Sequence, residues 1–193
     1  MTDDPDSSEP SRDERDAPDP DGDTQDAPDP IEPARAWVFG DDVDTDQIIP
    51  SRFIVSGDPD ELAEHAFEDL RPAFAAEVRP GEFVVGGENF GSGSSREQAP
   101  LSLVGAGVAG VVARSFARIF FRNAINLGLP VLICPDADRV RDGDEVHMDI
   151  GEGVVVNHTR EERYEAEPLP EFLQSLVEQG GLEAYTRAKL EDR

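Results

Sequence analysis

Apolar residues in this chain fall into short runs separated by polar, glycine- and proline-marked breaks. Ala36–Phe39 reads as a strand, followed by a polar loop over Gly40–Asp46 and the apolar Ile48-Ile49 before Pro50. Asp58-Pro59 has the form of a helix N-cap with proline at the first position, which predicts a helix over Asp60–Phe67. Glu82–Gly86 reads as a strand and Glu97–Ala106 as a helix. Val108–Ala113 is apolar throughout and therefore predicts a strand buried on both faces. Ser115–Leu127 carries apolar residues at 116, 119, 120 and 124 and is closed by Gly128, which predicts a helix. Pro130–Ile133 is a further strand. Beyond Asp142-Gly143 the pattern changes. Glu145–Ile150 and Gly153–Val156 predict an antiparallel hairpin, and 170–179 and 182–190 predict helices. The sum is one α/β domain with a mixed sheet, its helices covering the Glu82–Ile133 core.

That domain is expected to occupy residues 35–193. Residues 1–34 consist mainly of Asp, Pro, Ser, Glu and Gly, and the unit Asp-Ala-Pro-Asp-Pro occurs at 16–20 and again at 26–30. So little there can be buried that ordering entropy would not be offset, so a disordered acidic tail is expected. The net charge is −26, and Lys189 is the only lysine. Such a surface repels nucleic acid and anionic lipid, so neither is an expected partner. Even, lysine-poor acidity is the pattern of halophilic proteins, in which salt screens self-repulsion. Cys134 is the only cysteine; it follows an apolar run and reads as a buried structural residue, so this chain alone can build no thiolate cluster site. No run is apolar enough to span a bilayer, and the expected location is the cytoplasm.

The segment richest in chemistry is Gly91-Ser-Gly-Ser-Ser-Arg-Glu97, between a strand and a helix. Glycines permit a sharp turn and close approach to a ligand. The hydroxyls of Ser94 and Ser95 are candidate helix caps, a helix start favours an anion, and Arg96 offers a forked cation suited to carboxylate or phosphate. A flexible Gly/Ser linker is the competing reading, but linkers seldom sit between a strand and an apolar helix.

This heptapeptide resembles the active-site loop of the aconitase superfamily's swivelling domain. Three further segments agree in order and spacing. Asp44-Thr-Asp46 with Ile48-Ile-Pro-Ser-Arg-Phe53 resembles the superfamily's first active-site loop. Ala113–Phe120 with Arg122-Asn123 and Asn126–Pro130 resembles the segment after the glycine loop. Val156–Thr159 resembles a short block near the domain end. Over about 36–189 the chain is similar to the small-subunit family of the 3-isopropylmalate dehydratases.

The resemblance implies a swivelling β/β/α fold and dehydration and rehydration of a 2-hydroxyacid. It implies no cofactor in this chain, a [4Fe-4S] cluster on a partner large subunit, and a heterodimer or heterotetramer acting on a small 2-hydroxy di- or tricarboxylate. It assigns Ser94 as the base, acting as an alkoxide, and Asp46 as the carboxylate beside it. Ser95 and Arg96 would bind a substrate carboxylate, and Arg52 would reach the distal one. Phe53, Ile54 and Val55 fall where the family varies with the substrate's side chain, and their apolar character suits an isopropyl group. Read without the resemblance, Asp46 is one of four loop aspartates and Arg52 a surface arginine.

A homoaconitase- or citramalate-type hydro-lyase is the close alternative, and a non-catalytic anion-binding regulatory module the distant one. His65, His147 and His158 are too scattered to form a ligand set. Arg114, Arg118 and Arg122 recur at helical spacing, which predicts a shared face that positions the loop, the competing readings being a partner surface and a solvated stripe.

Overall fold

The computed structural model describes residues 32–191. The expected acidic tail lies outside the described residues but for its last three, and the first strand begins at Ala34, two residues before the strand expected from Ala36. Seven strands form one sheet in the order β4-β3-β2-β1-β5-β6-β7: β1 Ala34–Val38, β2 Phe83–Gly86, β3 Gly110–Ala113, β4 Val131–Ile133, β5 Glu145–Asp149, β6 Val154–Asn157 and β7 Glu162–Glu165. β1 to β4 run parallel, and β5 to β7 continue antiparallel from β1. The sheet curls until its two edges meet, where Glu167 N–H donates to the Ile133 carbonyl at 2.8 Å.

Strand alternation divides the core in two. Trp37, Val84, Val111 and Val131 face a helical layer, whereas Ala36, Phe83, Val85, Val112 and Leu132 face the interior of the curl. There they meet Val146 and Met148 of β5, Val155 of β6 and Tyr164 of β7. Both faces of β1–β4 are therefore apolar, the pattern that made β3 legible as a continuous hydrophobic run. The helices supply the third layer: α1 Thr45–Ile48, α2 Pro59–Ala63, α3 Ala73–Glu77, α4 Gln98–Gly105, α5 Arg118–Asn126, α6 Glu171–Glu178 and α7 Leu182–Glu191. Ile48, Leu62, Phe74, Leu103, Phe120 and Leu176 bring their apolar faces onto the sheet. Burying each such side chain contributes about 1.5–3 kcal/mol. This is the β/β/α layering that the resemblance implies.

Three expectations need correction. The helix expected over Asp60–Phe67 stops at Ala63, because the chain turns at Phe67 with φ +56° and its N–H returns to the Ile48 carbonyl. The helix expected from Ser115 starts at Arg118, because Phe116 first forms a parallel bridge with Phe90. Arg114 therefore lies before α5, and only Arg118 and Arg122 share a helix face. α3 and β7 were not anticipated. α3 has no side-chain cap, and β7 offers only Tyr164 as a buried residue.

Candidate active site

The parallel strands place three loops side by side. The chain leaves the C-terminal ends of β1, β2 and β3 into the segments 41–53, 87–97 and 114–117, and ligands of open parallel sheets bind at that end. Main-chain bonds lock the segments together. Gly91 N–H donates to the Val43 carbonyl at 2.7 Å, Thr45 N–H to the Ser92 carbonyl at 2.8 Å, and Ala117 N–H to the Phe90 carbonyl at 2.9 Å. Gly91 sits at φ +77° directly on Phe120, where a Cβ would lie 2.2 Å from the ring, so this turn accepts only glycine.

The first loop is built by a capping box. Asp44 accepts from Gln47 N–H at 2.8 Å, and the Gln47 side chain accepts from Asp44 N–H at 2.9 Å, so a single turn of helix forms. That turn presents two residues to the glycine loop. Thr45, 2% exposed, accepts Ser94 N–H on its hydroxyl at 3.2 Å. Asp46 meets Arg96, with Nη1 2.5 Å from Oδ1 and Nη2 donating to Oδ2 at 3.1 Å. Asp46 also accepts Ser51 N–H at 3.2 Å, so one carboxylate ties both loops. The hydrogen bond from Arg96 holds the Asp46 carboxyl below the usual aspartate range. Asp46 is therefore ionised near neutrality and orients rather than exchanges protons.

Ser94 and Ser95 do not cap α4. Its N-cap is Glu97, without a side-chain bond, because the loop runs on three residues after its anchor on Thr45. The Ser94 and Ser95 hydroxyls are exposed, and neither donates to nor accepts from a described residue. Ser94 opens into a cleft of about 420 Å³ that it lines with Gly91, Gly93, Ala117, Arg118, Ile119 and Arg122.

The structure brings Ser94, Arg96 and Asp46 together, with Ser95 on the same loop. It does not bring Arg52 to them. Arg52 grips Asp69 with both nitrogens at 2.6 and 2.7 Å and lies over Phe53. Phe53 stacks on His65 at 3.7 Å and Ile54 is partly buried, while Val55 stands 90% exposed beside them. Arg114 pairs with Glu88 at 3.1 Å. Sequence reasoning missed Thr45 as the anchor of Ser94, although the Asp44–Gln47 box that positions it is a readable signal.

Cys134 is buried against the β7 backbone, and burial pushes its thiol up. Among the described residues no group of three or more His, Cys, Asp or Glu could hold a metal ion, and no helix is long and apolar enough to cross a membrane.

Comparison with known proteins identifies the family. Residues 63–136 match the Aconitase C-terminal domain. The chain is 55% identical over 159 residues to the 3-isopropylmalate dehydratase small subunit of Methanosarcina mazei, covering 82% of this chain and 98% of that one. It is 55% identical over 154 residues to small subunit 1 of the enzyme from Archaeoglobus fulgidus, covering 80% and 96%. The crystal structure of 3-isopropylmalate dehydratase from Methanocaldococcus jannaschii superposes with a TM-score of 0.78 at 41% identity, covering 81% of this chain and 93% of that one. With 55% identity to relatives matched over nearly their whole length and a TM-score of 0.78 to a solved one, this chain belongs to the 3-isopropylmalate dehydratase small-subunit family of the aconitase superfamily.

Proposed function

We propose that this chain is the small subunit of a 3-isopropylmalate dehydratase, a cytoplasmic hydro-lyase of leucine biosynthesis. With a large subunit it interconverts 2- and 3-isopropylmalate by removing and re-adding water. One observation carries the reading: the Gly91–Glu97 loop is fixed on the Asp44–Asp46 turn so that the Ser94 hydroxyl, unengaged within the chain, faces a cleft.

The reaction removes a proton from carbon next to a carboxylate, which accumulates negative charge on that carboxylate. In this reading Ser94 Oγ, as alkoxide, accepts the proton. A serine hydroxyl is far too weak an acid to ionise unaided near neutrality, so fixed cations and N–H dipoles around the loop must stabilise its anion. Thr45 holds the Ser94 main chain in place. Asp46, ionised near neutrality, holds Arg96 beside it, and Ser95 and Arg96 border the substrate carboxylate. Phe53, Ile54 and Val55 form the apolar wall for the isopropyl group. The [4Fe-4S] cluster assigned by the resemblance to the large subunit would supply a Lewis acid for the departing hydroxyl.

Co-expression with the large subunit encoded by the same genome tests the reading. The purified complex is expected to turn over 3-isopropylmalate with a kcat/KM far above that for homocitrate-type or citramalate-type hydroxyacids. A complex that prefers either of those would move the assignment to the related hydro-lyase, and one inactive on all of them would overturn it.

A further inference from the structure

Several arginines of the chain are already neutralised. Arg96 holds Asp46, Arg52 holds Asp69, Arg71 holds Asp142 and Arg114 holds Glu88. Arg118 and Arg122 differ: neither has an ion pair or hydrogen bond with any described residue. They lie four residues apart on α5, hence on one face, both exposed, and both line the cleft that holds Ser94. Two like charges at that spacing repel, and this chain has a net charge of −26 with carboxylates in excess. Leaving that pair unpaired keeps two forked donors open toward the space beside Ser94.

We propose that Arg118 and Arg122 are the carboxylate receptor of the Ser94 cleft. They take one carboxylate of a dicarboxylate substrate, a task that Arg96 and Arg52, each already gripping an aspartate, are less free to perform. The inference rests on the reading of the chain as a hydro-lyase subunit. It adds a guanidinium pair on α5 to the loop residues that border the substrate carboxylate. Two guanidiniums suit a carboxylate whose charge grows as the neighbouring carbon loses its proton.

The test uses the assembled two-subunit complex with Arg118→Gln, Arg122→Gln and the double variant. Arg79→Gln is the control: Arg79 is an exposed arginine lining a different cleft, and its loss changes the net charge equally. Binding of malonate, a plain dicarboxylate, is followed by calorimetry beside KM for 3-isopropylmalate, melting temperature and subunit assembly.

Each single variant is expected to weaken malonate and raise KM about ten- to hundredfold, the loss expected for one charged hydrogen bond. Melting and assembly should stay at wild-type values, and Arg79→Gln should change nothing. Malonate binding within twofold of wild type in the double variant would overturn the proposal. So would loss of assembly, which would make the pair a contact for the partner chain. Wild-type complex that binds malonate through these arginines yet ignores isopropylmalate would retire the substrate assignment and leave the receptor standing.

Discussion

At the scale of single residues, the arrangement turns on how few side chains stay unengaged. Asp46 and Arg96 pair with each other, and the pair ties two loops together. Arg96→Lys should therefore disturb more than charge, since an ammonium cannot reproduce a two-pronged contact. The assembled variant is expected to lose about 10- to 100-fold in kcat/KM, as judged from the loss of one charged hydrogen bond. Steady-state assay checks this, and a loss below threefold would show that the pair does not order the loop. Because Arg96 depresses the Asp46 pKa, the pair is complete at neutral pH and is lost only as pH falls below the ordinary aspartate value of about 3.9. The sequence pointed to Ser94, Ser95 and Arg96 through the glycine-rich loop, and to Asp46 only through the family resemblance. It could not show that the arginine fork was occupied, because the Asp46 contact joins residues 50 apart. The idle state of Arg118 and Arg122 was hidden for the same reason.

At the scale of elements, the legible parts were those whose pattern is local. The β1–β4 strands stood out as apolar runs, and α4 and the β5–β6 hairpin showed in their turn signals. Elements set by distant contacts did not. The extended Phe116 displaced the start of α5, and the Thr45 anchor removed Ser94 and Ser95 from capping duty. A buried polar cluster pins the β5–β6 hairpin. Asp144, 4% exposed, accepts from Asn157 Nδ2 at 2.7 Å, Arg160 Nε at 2.8 Å and Arg141 N–H at 2.9 Å. Burial alone would raise the Asp144 pKa, but these donors override it and hold it below the usual range. A carboxylate depressed in the folded state stabilises fully above its unfolded pKa, and that contribution is lost as pH falls through the folded value. Asp144→Asn is therefore expected to cost about 1–3 kcal/mol at pH 7 and less as the medium turns acid below about pH 4. Denaturant titrations from pH 7 to pH 3 check it, and a cost that stays constant over that range would contradict the assignment. Gly91→Ala should also destabilise, by about 1–3 kcal/mol, from a disfavoured φ and a clash with Phe120. Thermal melts test this: a melting temperature equal to wild type would show that the loop can shift off Phe120.

At the scale of the whole molecule, a sheet curled edge to edge under a single helical layer leaves one end of its parallel strands to carry all three site loops. The other end is free of them, which is why motif order along the chain tracked position in the site so closely. Charge acts on the same scale. With a net charge of −26 and most ion pairs exposed, self-repulsion is strong at low ionic strength and screened at high. The melting temperature is expected to rise steadily with potassium chloride into the molar range, and a salt-independent melt would remove the halophilic reading.

The central claim, that the Gly91–Glu97 loop carries the proton-abstracting base of a dehydratase, is tested most directly by Ser94→Ala in the assembled two-subunit complex. The turn depends on Gly91 and on the Ser94 main chain rather than on its hydroxyl, so the variant should fold and assemble as wild type. A general base contributes a factor of about 10²–10⁴. The account predicts that kcat for 3-isopropylmalate falls by at least that lower factor, with KM changed far less, because the binding cations remain. A rate within a few-fold of wild type would contradict it.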